Sequence, residues 1–246
     1  MKTAIVIPAR YASTRLPGKP LLKETGKFLI QHVYEQAQRC QRADAVIVAT
    51  DDSRIRDAVT SFGGRAVMTR EDHPSGTDRI AEVAMQLDHD VIVNLQGDEP
   101  QFDPAGLDQL IGLLAGAPQA NSATLATPIR DVAQYQSPNA VKVVRDDTGR
   151  ALYFSRSPIP CYRDGLPENL SEPWALLHLG VYAYRRDFLL RLAKTPPHPL
   201  EQAEKLEQLR VLGLGEMMLV GIVPVAHKGI DTPEDYAGFL TSIRPG

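Results

Sequence analysis

The sequence predicts an α/β protein with a doubly wound, mainly parallel sheet and an antiparallel extension at about residues 122–184. In the first half of the chain, short apolar runs alternate with amphipathic segments of helical spacing, as in parallel sheets covered by helices. From Ser122 onward, strand-type segments follow one another, with a predicted hairpin turn at 146–149. No internal repeat or low-complexity linker divides the chain, so we predict a single domain over residues 1–246.

Composition excludes several classes of protein. Hydrophobic residues make up 43% and charged residues 23% of the 246 positions, which argues against disorder. A formal net charge of −3 argues against general nucleic-acid binding. Cys40 and Cys161 lack the spacing of a disulfide framework or a zinc site. No apolar run reaches the length of a membrane span and no leader-type segment opens the chain, so we expect a cytoplasmic protein without a membrane partner.

The first predicted strand, residues 4–7, leads into a loop that contains Arg10, Arg15 and Lys19. Open α/β sheets bind ligands at the carboxyl ends of their strands, and cations with backbone N–H groups suit a polyphosphate there. Neither a Walker loop nor a dinucleotide-binding G-x-G-x-x-G motif is present. A solvated surface loop is the alternative interpretation of the three cations.

The next elements continue the alternation. Residues 28–40 are spaced as a helix, and 45–50 and 65–69 are predicted strands. Asp51 and Asp52 follow the second strand and could form an acidic metal pair. Asp52 is also placed to cap a helix over 53–62, and we favour the cap.

A further helix is predicted over residues 75–87, with Ser75 as its N-cap and an Asp three residues later. A capped helix is a sufficient structural explanation. The N-terminus of this helix, at Ser75 and Gly76, would also present free N–H groups to a base or phosphate, with Arg79 one turn further along.

Residues 90–100, DVIVNLQGDEP, are predicted to form an apolar strand that ends in Gln96, Gly97, Asp98 and Glu99, and no separate role is assigned to Glu99. Asp98 would project at the same sheet edge as the cationic loop, where a hard divalent cation could join it to phosphate oxygens. A surface turn explains the composition equally well, but the two loops together favour a metal ligand.

In the second half, residues 157–173 are predicted to form a long loop. Residues 178–184 alternate as a strand that places His178, Tyr182 and Tyr184 on one side, facing a ligand or another chain. A lone histidine is more often structural than functional, and that alternative remains open for His178.

Towards the C-terminus, residues 199–215 are spaced as one amphipathic helix that contains Glu207 and Gln208. Residues 217–225 return to the sheet. Thr232 is the predicted cap of the last helix, which leaves Asp231 outside the cap and free to point elsewhere.

Eight motifs occur in an order that resembles the 3-deoxy-manno-octulosonate (KDO) cytidylyltransferases, also called CMP-KDO synthetases: IPARYASTRLPGKP, HPSGTDR, VNLQGDEP, NAVKVV, ALYFSR, HLGVYAY, KLEQLR and GIDTPED. The resemblance covers nearly the whole chain. It implies a nucleotide-diphospho-sugar transferase-like fold whose antiparallel extension serves as a lid or dimerisation element, and a homodimer. It also implies that the anomeric hydroxyl of KDO attacks the α-phosphorus of CTP, giving CMP-KDO and pyrophosphate for lipopolysaccharide biosynthesis.

The resemblance also assigns roles to residues. Asp98 and Asp231 would hold Mg²⁺, and Arg10 and Lys19 would join them in catalysis. The residues implied to bind the nucleotide are Pro8, Ala9, Arg10, Arg15, Lys19, Ser75, Gly76, Arg79 and Gln96, with cytosine at Ser75 and Gly76. The residues implied to bind the sugar are Gln96, Arg156, His178, Tyr182, Glu207 and Gln208. Arg156 can grip a carboxylate through two N–H groups.

Other functions remain open at this point. CMP activation of a related sugar acid, such as 8-amino-KDO or sialic acid, would use the same chemistry. A metal-dependent glycosyltransferase would also place acids after a strand of a nucleotide-binding sheet, although the cationic first loop argues against it. A noncatalytic nucleotide-binding module would have no turnover, and the presence of both Asp98 and Asp231 argues against that function.

Overall fold

A computed structural model describes residues 1–12, 15–166, 175–225 and 229–243. Within these residues there are nine strands and nine α-helices, together with a 3₁₀ turn at Lys19–Leu21. The strands are β1 (Thr3–Ala9), β2 (Ala45–Thr50), β3 (Ala66–Met68), β4 (Val91–Asn94), β5 (Ser122–Pro128), β6 (Lys142–Arg145), β7 (Ala151–Ser155), β8 (Leu176–Arg185) and β9 (Met218–Ile222). The helices are α1 (Leu29–Gln38), α2 (Ser53–Ser61), α3 (Gly76–Ala84), α4 (Pro104–Gly116), α5 (Val132–Gln136), α6 (Arg186–Leu192), α7 (Pro199–Glu204), α8 (Gln208–Gly213) and α9 (Pro233–Ile243).

The chain forms two compact units. Unit 1 comprises Met1–Asp108 and His227–Gly246, and unit 2 comprises Gln109–Ala226. The boundary falls within α4, not in a linker, which is why composition gave no sign of it. No helix among the described residues is long and apolar enough to cross a membrane.

Unit 1 contains a parallel sheet in the order β3-β2-β1-β4. The apolar run at the start of β1 is fully buried, as its composition predicts, and β1 pairs with a strand on each side. Parallel strands end at a common edge, so the segments that follow β1 and β4 emerge close together. The predicted alternation of strand and helix is confirmed here.

Two of the predicted helix caps are present in unit 1. Asp52 Oδ1 accepts the backbone N–H of Arg54 at 2.9 Å at the start of α2, which confirms the capping role. Ser75 Oγ accepts the backbone N–H of Asp78 at 3.2 Å at the start of α3. Each cap satisfies a donor that would otherwise lack a partner in the first turn.

The C-terminal helix α9 packs on α1 through a buried apolar cluster of Leu29, Ile230, Tyr236 and Phe239. Thr232 Oγ1 accepts the backbone N–H of Asp235 at 3.2 Å, and the Asp235 carboxylate in turn accepts the backbone N–H of Thr232 at 3.0 Å. This reciprocal cap fixes the chain immediately before α9, where Asp231 lies.

Unit 2 contains the predicted antiparallel extension. Strand β5 pairs with β8 in antiparallel and with β9 in parallel orientation, while β6 pairs with both β7 and β8 in antiparallel orientation. Gly149, in the turn between β6 and β7, has a φ of 85° that favours glycine. The hairpin predicted at 146–149 is therefore confirmed.

The prediction of a single helix over residues 199–215 is wrong, because this segment forms two short helices, α7 and α8. Lys205 adopts the left-handed conformation, with φ of 54°, and ends α7. A buried ion pair between Glu201 and Arg210, with Nε 2.8 Å from Oε2, joins the two short helices across the break. Gln208 consequently lies buried on the new helix. Of the predicted loop at 157–173, residues 157–166 form no helix or strand, and the rest lies outside the described residues.

Candidate active site

Asp98 and Asp231 converge on a single cation. The Lys19 ammonium donates to Asp98 Oδ2 at 2.7 Å and to Asp231 Oδ1 at 3.3 Å, and also to the Ile230 carbonyl at 2.8 Å. The two carboxylate oxygens are therefore separated by no more than the sum of the first two distances. Although 133 positions divide these residues in sequence, they share one cation.

Two of the three loop cations contact these carboxylates. Arg15 Nη2 donates to the other oxygen of Asp231, Oδ2, at 3.0 Å, and this pair is exposed. Arg10 is exposed, and no hydrogen bond joins its side chain to the residues that the structure describes. Arg10 and Arg15 are thus both exposed to solvent, and carboxylates already pair with Arg15 and Lys19.

Glu99 is a third acid in this cluster that sequence reasoning did not single out. The pKa of its carboxyl group is raised to about 8, chiefly by burial and also by the negative charges of Asp98 and Asp231, while Lys19 opposes the rise. Its Oε1 lies 3.1 Å from the position that a Cβ would occupy on Gly229. The D-E-P sequence was the available signal, but composition alone could not distinguish it from a surface turn.

The residues present fit a magnesium ion. One carboxylate oxygen of Asp98 and one of Asp231 already contact the same cation, the Lys19 ammonium, and this arrangement supports the fit. Mg²⁺ prefers hard oxygen ligands and commonly binds through one or two carboxylates, completing its shell with water and substrate phosphates. Among the described residues, no group of three or more His, Cys, Asp or Glu is arranged to hold a metal. Asp98 and Asp231 are therefore the candidate protein ligands.

The end of β1 is in close contact with two other candidate segments. A Cβ on Gly97 would lie 2.8 Å from the Pro8 carbonyl oxygen and 3.7 Å from Ala9 Cβ. A Cβ on Gly76, the first residue of α3, would lie 3.6 Å from Pro8 Cγ. The N-terminus of α3 and the loop after β4 therefore meet beside Pro8, as the shared edge of a parallel sheet predicts.

The side chains assigned to the nucleotide differ in their burial and in their hydrogen bonds to other protein groups. Ser75 Oγ donates to Asp78 Oδ2 at 2.7 Å, while Gln96 is half-buried with an amide 3.4 Å from Asn94 Oδ1. Arg79 is buried and donates to Asp51 Oδ2 at 2.9 Å. This geometry makes Arg79 a structural support for the sheet edge, and its contact with nucleotide stays a prediction.

A stacked pair braces the cationic loop. The Arg54 guanidinium carbon lies 3.4 Å from the centroid of the Tyr11 ring, and the backbone N–H of Gly18 donates to the Tyr11 carbonyl at 3.3 Å. Gly18 has a φ of 67°, a conformation that favours glycine. The two ends of the loop are thus joined. No sequence motif indicated Arg54, which lies on α2.

In unit 2, His178 and the phenols of Tyr182 and Tyr184 form a row of rings, as the predicted alternation implied. The centroids of His178 and Tyr182 are 5.4 Å apart, and those of Tyr182 and Tyr184 are 5.8 Å apart. Tyr182 Oη donates to Gln208 Oε1 at 3.3 Å. Burial lowers the pKa of His178 to about 3 and raises that of Tyr182, so both side chains are neutral at ordinary pH.

Arg156 is largely engaged by backbone carbonyls. Its Nε donates to Glu204 O at 2.8 Å, Nη1 to Pro138 O at 3.0 Å and Nη2 to Lys205 O at 3.4 Å. The buried Lys142 holds the carbonyl of Arg156 at 2.5 Å. Each terminal nitrogen of the guanidinium carries a second N–H, so a carboxylate could still be bound, and the sugar-binding role stays a prediction.

Two of the remaining sugar-site assignments lie at the break between α7 and α8. Glu207 is exposed and directly precedes α8, whereas Gln208 is buried and contacts Tyr182. Gln96 belongs to unit 1, and the other residues assigned to the sugar belong to unit 2.

The chain is similar to known cytidylyltransferases. A family model described as cytidylyltransferase matches residues 4–218. The 3-deoxy-manno-octulosonate cytidylyltransferase of Geobacter sulfurreducens is 49% identical over 99% of this chain and all of its own length, and that of Geotalea daltonii is 50% identical over 99% of each chain. The chain belongs to the 3-deoxy-manno-octulosonate cytidylyltransferase family.

Two solved structures superimpose on this chain. A CMP:2-keto-3-deoxy-manno-octonic acid synthetase complexed with CTP superimposes with a TM-score of 0.92 at 45% identity, covering 99% of this chain and 98% of the other. A 4-diphosphocytidyl-2C-methyl-D-erythritol synthase superimposes with a TM-score of 0.65 at 16% identity over 99% and 98% of the two chains, which shows a shared fold. The mainly parallel α/β class predicted from sequence is confirmed.

Proposed function

We propose that this protein transfers CMP from CTP to the anomeric hydroxyl of KDO, releasing pyrophosphate and forming the CMP-KDO used in lipopolysaccharide biosynthesis. The observation that carries the proposal is the convergence of Asp98 and Asp231 on Lys19 in a chain that belongs to this family. In the reaction, a bond forms between the sugar oxygen and the α-phosphorus. The bond from that phosphorus to the bridging oxygen breaks, pyrophosphate leaves with the electron pair, and the proton of the sugar hydroxyl passes to solvent.

The residues of unit 1 would bind and screen the triphosphate. Arg10 is an exposed cation of the loop without a carboxylate partner among the described residues, and Arg15 and Lys19 follow it in the chain. The first N–H groups of α3, beginning at Gly76, lie beside Pro8 and can donate to phosphate or base. Such preorganised donors stabilise the negative charge that grows on the leaving pyrophosphate.

We further propose that the enzyme depends on Mg²⁺ held by Asp98 and Asp231. When bound, the ion would supply charge neutralisation and a lowered pKa for the attacking hydroxyl. Asp98 and Asp231 would hold the ion, and the Lys19 ammonium, which contacts both carboxylates, would add a further positive charge to the site. Support for this proposal comes from the hard oxygen donors and from their existing arrangement around a cation.

Residues of unit 2 are proposed to recognise the sugar acid. In unit 2, the free N–H groups of Arg156 would bind the carboxylate, and His178, Tyr182 and Gln208 would bind hydroxyl groups. Glu207, which is exposed before α8, would accept from a further hydroxyl. Gln96 in unit 1 is proposed to contact the sugar or the nucleotide.

Pyrophosphate release tests this function. The purified protein with CTP, KDO and Mg²⁺ should release pyrophosphate, and omission of KDO or Mg²⁺ should abolish the release. Replacing KDO in turn with 8-amino-KDO and sialic acid would identify the sugar acid that is used best. Binding of CTP without any pyrophosphate release would instead indicate a glycosyltransferase or a noncatalytic module.

A homodimer and a cytoplasmic location are also proposed. The support for both is membership of this family and the composition of the chain. Sedimentation equilibrium of the full chain should give twice the 27.0 kDa of one chain, and a mass of 27.0 kDa at micromolar concentration would contradict the dimer.

A further inference from the structure

We infer that Thr124 is a positioning residue: it holds His178 in the tautomer with hydrogen on Nε2, so that Nδ1 is a fixed acceptor for a hydroxyl group of the sugar acid. The tautomer follows from the geometry of unit 2 alone. The identity of the hydroxyl donor rests on the proposed function.

The hydrogen bonds of Thr124 determine the position of the histidine proton. Thr124 Oγ1 lies 2.7 Å from Val181 O, 3.2 Å from Leu179 O and 3.0 Å from His178 Nε2. A hydroxyl group has one hydrogen to donate, and carbonyl oxygens can only accept. If Thr124 donated to His178, the Val181 oxygen would face the hydroxyl oxygen at 2.7 Å with no hydrogen between them. The hydroxyl therefore donates to Val181 O, and His178 Nε2 must donate to Thr124.

A bulge in β8 creates this arrangement. Thr124 pairs with Tyr182, but its neighbour Leu125 pairs with Leu179, so two extra residues of β8 lie between these pairs. Residues within a bulge lack regular ladder partners. The fully buried Thr124 hydroxyl donates to one such carbonyl, that of Val181, and accepts from His178 Nε2. Replacing Thr124 would therefore leave both a carbonyl and an imidazole N–H unsatisfied.

The surroundings of His178 keep its ring neutral and in place. Its centroid lies 4.9 Å from that of Phe154 in an edge-on arrangement and 5.4 Å from that of Tyr182. Burial lowers the pKa of His178 to about 3. A neutral ring with hydrogen on Nε2 has a lone pair on Nδ1, and no hydrogen bond joins Nδ1 to the residues that the structure describes.

Gln208 supplies the complementary donor. Tyr182 Oη donates to Gln208 Oε1 at 3.3 Å, which orients the amide and leaves its NH₂ group to donate. The row of rings in unit 2 thus offers an acceptor on His178 and a donor on Gln208. This pattern suits a polyhydroxylated ligand, because hydroxyl groups both donate and accept.

The first test measures the tautomer directly. In ¹⁵N-histidine-labelled protein without ligand, His178 signals are assigned by their loss in H178Q. Long-range ¹H–¹⁵N correlations should show a protonated Nε2 and an unprotonated Nδ1, and Nδ1 should shift further when KDO binds. A protonated Nδ1 in the ligand-free protein would overturn the inference. An Nδ1 signal unchanged at saturating KDO would overturn its assignment as the acceptor for the sugar.

The second test uses variants of Thr124. T124V keeps the shape but removes the hydroxyl, and should raise the KM for KDO about tenfold, as expected for one hydrogen bond, while the KM for CTP is unchanged. T124S retains the hydroxyl and should restore KDO affinity. T127V is the matched control, because Thr127 is buried on the same strand and its hydroxyl has no hydrogen bond among the described residues. An unchanged KM for KDO in T124V, or an equal rise in T127V, would contradict the inference.

These outcomes separate the inference from the proposed function. Absence of pyrophosphate release by the wild-type protein would refute the function, yet the ligand-free tautomer would still be measured. An active enzyme with hydrogen on Nδ1 would refute only the inference. Because the tautomer is read in the wild-type protein, a T124V variant that fails to fold leaves the first test decisive.

Discussion

At the scale of single residues, the candidate site depends on two carboxylates that share one ammonium group. Asp98 and Lys19 were identified because each follows a strand-like run at the predicted sheet edge, whereas the pairing of Asp98 with Asp231 was implied by the family resemblance. Sequence reasoning did not identify Glu99 or Thr124, since their roles arise from burial and from a bulge. Neither of these features leaves a signature in the residue types.

We predict that Asp98→Asn and Asp231→Asn each reduce turnover by at least about 100-fold, because each removes a carboxylate charge that would hold the metal. Pyrophosphate release at limiting Mg²⁺ measures the effect. Thermal stability should change little, since Lys19 keeps its other two acceptors in each variant. Asp88→Asn is the control, because Asp88 is an exposed acid paired with Lys2. Wild-type turnover in either site variant would disprove the metal assignment.

His178 gives a prediction for pH. Its pKa is 6.5 in the unfolded chain and about 3 in the folded protein, so the unfolded state binds more protons between those values. The free energy of unfolding should therefore fall as pH falls, by about 1 to 2 kcal/mol between about pH 7 and pH 5. Urea unfolding of the wild type and of H178Q isolates this contribution, because other titrating groups are common to both. Equal losses in the two proteins would show that His178 is not buried as a neutral ring.

At the scale of secondary-structure elements, the strands and helix caps of unit 1 were predictable because each depends on local sequence. The single helix predicted over 199–215 was wrong, because periodicity does not reveal the left-handed Lys205 or the ion pair of Glu201 with Arg210. The β8 bulge was missed for the same reason, since a bulge depends on the partner strand. Contacts between elements that are distant in sequence thus account for the differences between the predicted and the observed secondary structure.

The contact of the β4 loop with β1 leads to a prediction for Gly97. A Cβ at this position would lie 2.8 Å from the Pro8 carbonyl oxygen, and backbone must move to admit it. Gly97→Ala should cost about 1 to 3 kcal/mol of stability and raise the KM for CTP, because Asp98 and the end of β1 are displaced together. Gly116→Ala is the matched control, since no atom lies within 4 Å of its added Cβ. Chemical denaturation and CTP kinetics that match the wild type for Gly97→Ala would contradict this geometry.

At the scale of the whole molecule, the fold class and family were predictable because eight motifs occur in order along nearly the full chain. The division into two compact units was not, because its boundary falls inside α4 and has no linker composition. Unit 1 contains both carboxylates, the cationic loop and the start of α3. Nucleotide and metal should therefore stabilise the folded chain mainly through unit 1.

This division predicts a thermal shift that depends on Mg²⁺. A ligand present at about 100 times its Kd stabilises the folded state by about 2.7 kcal/mol, which for a chain of this size corresponds to a rise in Tm of about 5 to 10 °C. CTP with Mg²⁺ should give a shift in this range, and chelation with EDTA should reduce it, because the Asp98 and Asp231 charges then repel the triphosphate. Asp98→Asn should lose the Mg²⁺-dependent part of the shift while retaining part of the CTP effect from the loop cations. A CTP shift that is equal with Mg²⁺ and with EDTA would show that the nucleotide binds without a metal at these carboxylates.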